Sequence, residues 1–137
     1  MAEYNETIST ILDDAESLIH AMGHEVTQDD QWMIRFMAEK AEQEIKNACN
    51  VQAVPEGLYK AWVQLTVADF LGARLSSGIL DGETIDFEPA LKTLQEGDTS
   101  ITWAADASQT PEQRLNLFID GLRTCRNQFI RYRRLCW

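Results

Sequence analysis

The chain has 137 residues, a net charge of −10 and 45% hydrophobic residues. This is the length of one domain with enough apolar content for a packed core, which excludes a disordered chain, and the acidic balance argues against a general binder of nucleic acid or anionic membranes. The charge is uneven: residues 1–110 carry 6 basic and 20 acidic side chains, whereas residues 111–137 carry 6 basic and 2 acidic ones. We therefore expect a single domain, residues 1–137, whose two ends meet different partners.

Signals for export and covalent cross-linking are missing from the sequence. Residues 1–6 lack the basic and apolar regions of a signal peptide, and no apolar run approaches the roughly 20 residues of a membrane span. The cysteines Cys49, Cys125 and Cys136 are odd in number and form no CxxC pair. They predict a reducing compartment, with the cysteines as small buried hydrophobic residues rather than a disulfide or zinc scaffold.

Two amphipathic helices are predicted in the first third of the chain. Apolar residues recur every three or four positions over residues 7–22, and Gly23 is the expected stop. The second helix covers residues 27–49, where Thr27 and an acid three positions on predict a capping box and Asn50 a stop. Its predicted apolar face consists of Met33, Phe36, Met37, Ala41, Ile45 and Ala48.

Two further helices complete the predicted set. Pro55 suits the first position of a third helix over residues 55–77, which is apolar nearly all round. This helix is expected to be central in the fold or to be covered by a neighbouring subunit. Thr110 and Pro111 predict the start of the last helix, residues 111–134. Its predicted core face consists of Leu115, Phe118, Ile119, Leu122, Cys125, Phe129 and Ile130.

The stretch between the last two helices has a different character. Turn signals at residues 81–82 and 96–98 and alternating polar and apolar residues over 99–104 predict a loop or short β-hairpin within residues 79–105. A lone hairpin is marginal in water, so this arm must lean on another surface. The predicted fold is therefore mainly α, a small four-helix bundle with a long loop or short β-hairpin inserted before the C-terminal helix.

Two polar side chains in the first helix, one just after it and one in the third helix suggest chemistry. Glu16, His20 and His24 are four residues apart and would stack on one helical face, where two histidines can ligate a metal, although Gly23 is expected to end the helix first. The alternative is a solvated face. Asp69 lies in an apolar helix, where it could be a catalytic acid, but such a residue more often points outward or pairs with an arginine across a bundle or an interface.

A basic cluster marks the C-terminal end, and it comprises Arg123, Arg126, Arg131, Arg133 and Arg134. Such a cluster can contact nucleic-acid phosphates, complement the negative end of a helix dipole, or bind an acidic protein. Arginine and aromatic residues are enriched at interface hot spots, and Tyr132 and Trp137 lie beside these arginines. The acidic remainder of the chain favours the protein partner.

Three segments resemble one protein family. They are residues 41–58 (AEQEIKNACNVQAVPEGL), 92–103 (KTLQEGDTSITW) and 126–137 (RNQFIRYRRLCW), and the most diagnostic parts are Glu96-Gly97-Asp98-Thr99 and Tyr132-Arg133-Arg134. In order and separation they are similar to head–tail connector (adaptor, head completion) proteins of long-tailed phages and prophages. The resemblance covers most of residues 27–137.

The resemblance implies a structural role in the virion, without enzymatic activity or cofactor. Members of this family form a dodecameric ring that docks under the portal protein, extends the DNA channel and offers a surface to the stopper or tail-completion protein. DNA passes through such a ring without sequence-specific binding, and no membrane is involved. The expected location is the virion neck, with the host cytoplasm before assembly.

The resemblance and the residue pattern together suggest two interaction regions. The candidates for portal docking are Arg123, Arg126, Arg131, Tyr132, Arg133, Arg134 and Trp137. The candidates for an inter-subunit arm are Leu94, Glu96, Gly97, Asp98, Thr99, Ile101 and Trp103. The competing interpretations are a metal-binding or catalytic helical domain using His20, His24 and Asp69, and a regulatory bundle that binds nucleic acid through its C-terminal arginines.

Overall fold

The structure, a computed structural model, describes residues 2–76 and 111–133. Within these ranges the chain forms four α-helices and two 3-10 stretches, with no strand: α1 (Ala2–Ala21), α2 (Gln28–Cys49), a 3-10 turn (Glu56–Leu58), α3 (Tyr59–Ser76), α4 (Pro111–Arg123) and a C-terminal 3-10 segment (Thr124–Arg131). The predicted mainly α bundle is confirmed. The predicted arm, residues 79–105, lies outside the described residues. None of the described helices combines the length and the apolarity that a membrane crossing requires.

Local backbone signals end or begin the first two helices as predicted. Gly23 has a φ of 89° two residues after the end of α1, a conformation that an L side chain rarely adopts. At the start of α2, the Asp30 N–H donates to the Thr27 hydroxyl at 3.2 Å and the Thr27 N–H donates to the Asp30 carboxylate at 3.1 Å. This is the predicted capping box. Asn50 closes α2 in a left-handed conformation, with a φ of 57°.

Helix α3 is the central element of the bundle. It packs against α1, α2, α4 and both 3-10 stretches. Its indole donor at Trp62 Nε1 binds the carbonyl of Ala38 on α2 at 2.7 Å, which fixes the pairing of these two helices. The chain therefore buries its own apolar helix, and the first of the two predicted explanations is correct. The buried residues of α3 are Ala61, Trp62, Gln64, Leu65, Thr66, Val67, Ala68, Phe70 and Leu71.

The core has two connected halves. One includes Ile19, Ile34, Phe70 and Phe118 and joins all four helices. The other joins α1, α2 and α3 to the C-terminal 3-10 segment, which contributes Cys125 and Phe129. The C-terminal segment is therefore part of the folded bundle rather than a free tail.

Three predicted helix boundaries are corrected by the structure. α1 begins at Ala2 rather than at residue 7, and the hydroxyl of Tyr4 donates to Glu42 of α2 at 3.2 Å. Pro55 has an extended backbone (ψ 143°) and precedes a 3-10 turn, so α3 begins only at Tyr59. The last helix has α geometry only to Arg123, and a 3-10 segment continues it.

Two predicted core faces are also corrected. On α2 the core positions are Ile34, Ala38, Ala41, Ile45 and Cys49. Phe36 and Ala48 are exposed, and Met33 and Met37 are partly buried, because the buried stripe runs beside the predicted one. Ile130, which belongs to the predicted core face of the last helix, is 78% exposed. Consecutive residues point about 120° apart in a 3-10 helix, so burial of Phe129 turns its neighbour outward.

Candidate functional site

Two buried cysteines hold the C-terminal 3-10 segment against the bundle. The thiol of Cys49 donates to the Phe129 carbonyl at 3.6 Å, and the thiol of Cys125 donates to the Ala61 carbonyl at 3.6 Å. Burial raises the pKa of both thiols, that of Cys125 to about 12, so both stay protonated and unreactive at neutral pH. Their predicted role as small buried hydrophobic residues is confirmed for these two, and Cys136 lies outside the described residues.

Tyr132 fastens the end of the same segment to the start of α3. A methyl group added to Gly57 would lie only 2.7 Å from Cζ of Tyr132, so the phenol ring occupies the space that a larger residue at Gly57 would need. The ring is half-buried and packs on the core half that contains Phe129. Tyr132, a predicted docking residue, therefore acts as an internal anchor.

Arg123 takes part in an ion-pair bridge across α3. Its Nη2 atom lies 3.3 Å from Oδ1 of Asp69, and Nζ of Lys40 lies 3.2 Å from the other oxygen. The bridge joins α2, α3 and α4. The predicted pairing of Asp69 with an arginine across the bundle is confirmed, and both oxygens of its carboxylate are used.

Arg126 ties the C-terminal segment to α2. Its Nη2 atom binds Oε1 of Glu44 at 2.8 Å and its Nε atom binds Oε2 at 3.2 Å, which is a bidentate pair. Arg123 and Arg126 are thus both used in contacts within the chain. A partner that bound them would compete with these pairs for the guanidinium charge.

The remaining described candidates form an outward-facing surface. Ile130, Arg131 and Arg133 are exposed, and the two arginines make no ion pair with the side chains that the structure describes. We call these three residues the basic C-terminal surface. Arg134 and Trp137 lie outside the described residues, and so do all seven candidates for the inter-subunit arm.

The histidines do not form the predicted stack. α1 ends at Ala21, and the turn at Gly23 directs the chain so that His24 Nε2 lies 3.0 Å from Asp30 Oδ2. His20 remains exposed and lines an open acidic groove with Glu16. In the part of the chain that the structure describes, no three His, Cys, Asp or Glu side chains are grouped so that they could hold a metal ion.

Asp30 is the centre of a buried ionic cluster that the sequence revealed only in part. The residue is 4% exposed, and beyond the capping box its Oδ1 atom lies 2.6 Å from Nη2 of Arg74. The Arg74 guanidinium also lies 5.6 Å from the centre of the Phe70 ring. Local spacing predicts the capping box, but it carries no signal for an arginine 44 positions away.

The pKa of Asp30 reflects these opposing influences. Burial by itself raises the pKa, because it disfavours the charged form. Hydrogen bonds from Thr27 and His24 and the positive charge of Arg74 outweigh burial and lower the pKa below its usual 3.8. The carboxylate is therefore ionised and structural at neutral pH.

The sequence gives no signal for an exposed aromatic pair on α2. Trp32 and Phe36 stack with ring centres 5.8 Å apart and are 68% and 51% exposed. Their spacing of four residues is as typical of a buried face as of an exposed one.

Comparison of the chain with protein families, curated proteins and solved structures finds no match.

Proposed function

We propose that this chain is a structural virion protein: the subunit of a head–tail connector ring that docks under the portal protein and offers an attachment surface to the stopper or tail-completion protein. The observation that carries the proposal is the basic C-terminal surface, which presents Arg131 and Arg133 beside the exposed Ile130. It belongs to one of the segments that resemble connector proteins.

The contacts between two of the resembling segments support the proposal. Residues 41–58 and the described part of 126–137 touch through Cys49 and Phe129 and through Gly57 and Tyr132. Residues that resemble one family in two distant parts of the sequence thus form one local structure. This supports reading the resemblance as that of a single folded unit.

The anchoring of this surface suits it to protein binding. Two buried thiol contacts and a bidentate ion pair hold the 3-10 segment in place. A preorganised surface loses less conformational entropy on binding than a free tail does. Exposed arginines beside an apolar side chain are typical of interface hot spots. Their positive charge favours an acidic protein partner.

The charge of the rest of the chain fits a subunit beside passing DNA. α1 exposes Glu6, Asp13 and Asp14 to solvent. In a closed ring, acidic side chains that face the channel repel DNA phosphates and keep the DNA from adhering.

The test is binding of the full chain to the portal protein encoded beside it. The double variant Arg131→Gln/Arg133→Gln is compared with Arg35→Gln/Lys60→Gln, which also removes two positive charges from exposed positions. We expect at least tenfold weaker binding for the first variant and little change for the second, with unchanged circular dichroism for both. Negative-stain images of the wild-type complex should show rings.

Two outcomes would contradict the proposal. Undiminished portal binding of Arg131→Gln/Arg133→Gln at about 0.15 M salt, where exposed charges are partly screened, would exclude this surface as the docking site. Equal weakening of portal binding by both double variants would also contradict the proposal, because this would indicate a general effect of positive charge rather than a contact at this surface.

A further inference from the structure

A pocket of about 400 Å³ opens on the side of the bundle where α1, the C-terminal half of α2 and the start of α3 meet. The aromatic residues Tyr4, Tyr59 and Trp62 line it, together with one acid, Glu42, and one base, Lys46. The volume lies within the range of small-ligand sites, and the lining is about evenly divided between polar and apolar surface. No part of the proposed portal-docking surface contributes to this pocket.

The carboxylate of Glu42 is only partly used. Its side chain is 13% exposed, and its Oε1 atom accepts a hydrogen bond from Tyr4 at 3.2 Å. Lys46 Nζ lies 3.7 Å from the same oxygen, near the outer limit for an ion pair. The other oxygen, Oε2, has no partner among the described residues, so it can accept a further strong donor.

The aromatic walls add attraction for a cation. The faces of tyrosine rings carry partial negative charge, and arginine and lysine side chains bind to them. Tyr4 and Tyr59 offer such rings here, whereas Trp62 is only 1% exposed and closes the inner end of the pocket. Burial and the neighbouring Glu42 charge raise the pKa of Tyr4, so its hydroxyl remains protonated and continues to donate to Glu42. The pocket thus combines aromatic surface with a carboxylate that is already held in position.

We propose that this pocket binds the guanidinium group of an arginine side chain. An anion would be repelled by Glu42, and a neutral apolar group would cover Oε2 without giving it a donor, which is costly. Guanidinium is favoured over ammonium because it is planar, stacks on aromatic rings and loses its hydration more easily. Lys46 competes weakly for the same carboxylate.

The probe is N-acetyl-arginine amide, titrated into the full-length ¹⁵N-labelled chain and followed by chemical-shift changes. We expect saturable shifts confined to the residues that line the pocket, weaker binding of the matching lysine compound, and no binding of the norleucine compound. Free arginine is a further arm. Tighter binding of the capped form supports an arginine borne by a protein, whereas tighter binding of free arginine supports a small molecule, and either result supports a guanidinium site.

Two variants with opposite expected effects make the test specific. Glu42→Gln should weaken binding of the capped arginine at least tenfold, whereas Lys46→Gln should strengthen it severalfold by removing the competing cation. Glu39→Gln, on the same helix but outside the pocket lining, should weaken binding much less, since only the charge of Glu39 acts on Tyr4. If Glu42→Gln does not fold, Tyr59→Leu replaces it and should weaken binding severalfold.

The proposal is overturned if capped norleucine binds as well as capped arginine, or if Glu42→Gln and Glu39→Gln bind alike. Weaker binding by Lys46→Gln would also overturn it, because this would show that the lysine attracts the ligand.

Discussion

Replacing Gly57 with alanine should destabilise this protein through a side chain 75 positions away. The added Cβ would lie 2.7 Å from Cζ of Tyr132, closer than such atoms approach in proteins, and a tight 3.1 Å from Cε1. The end of the ring must therefore shift away from Gly57, and its complete displacement from the bundle is the largest possible response. Backbone strain is not the reason, since among the described glycines only Gly23 has a positive φ.

The magnitude follows from the area that the ring covers. A buried tyrosine covers about 150–250 Å², and Tyr132 is half-buried, so about 100 Å² is exposed when the ring leaves. At about 25 cal/mol per Å², Gly57→Ala should cost up to about 2.5 kcal/mol, the value for complete displacement of the ring. In a Tyr132→Ala background the clash is gone, and the same substitution should stabilise the protein by about 0.4–1 kcal/mol, because alanine restricts the unfolded chain.

This double-mutant cycle compares the wild type, Gly57→Ala, Tyr132→Ala and the double variant. Urea unfolding of each, followed by circular dichroism at 222 nm, measures it. A loss of about 2.5 kcal/mol shifts the midpoint by roughly 1 M urea. The reasoning is refuted if Gly57→Ala costs nothing in the wild-type chain, or if it costs the same in the Tyr132→Ala background.

Three further predictions concern contacts within the bundle. Trp62→Phe removes the indole donor to the Ala38 carbonyl and leaves a small cavity. Urea unfolding should therefore show a free energy of unfolding lower by about 1–3 kcal/mol, and a decrease below about 0.5 kcal/mol would be inconsistent with this contact. The folded-state pKa of Asp30 is lowered, so its stabilising contribution is fully present above pH 3.8 and is lost as the pH falls through the lowered value. The difference in unfolding free energy between wild type and Asp30→Asn should therefore shrink between pH 5 and pH 2. A constant difference would contradict the assignment. Arg126→Gln breaks a partly exposed pair with Glu44, so it should cost at most about 1 kcal/mol and leave portal binding intact; loss of binding would return this arginine to the docking surface.

The candidate site was predictable in composition but not in geometry. The sequence shows five arginines near its C-terminal end, yet two of them, Arg123 and Arg126, bind acids on α3 and α2. Which arginine finds an acid depends on helices that are separated by 54 and 82 positions in the chain. The pocket beside Glu42 was not predicted for the same reason, since its walls come from three helices.

The helix count, the order of the helices and several of their ends were determined by the sequence alone. The signals at Gly23, Thr27 and Asn50 act on the adjacent backbone, so a few neighbouring residues suffice to read them. Which side of a helix is buried was decided by the tertiary structure, because α2 has apolar residues on more than one face and packing selects among them. Phe36 is exposed for this reason, and Ile130 is exposed because the last helix continues as a 3-10 segment in which Phe129 is buried. The charge pattern alone indicated an acidic body and a basic end. The tertiary structure decided which arginines remain at the surface, because Arg123 and Arg126 pair with acids on α3 and α2.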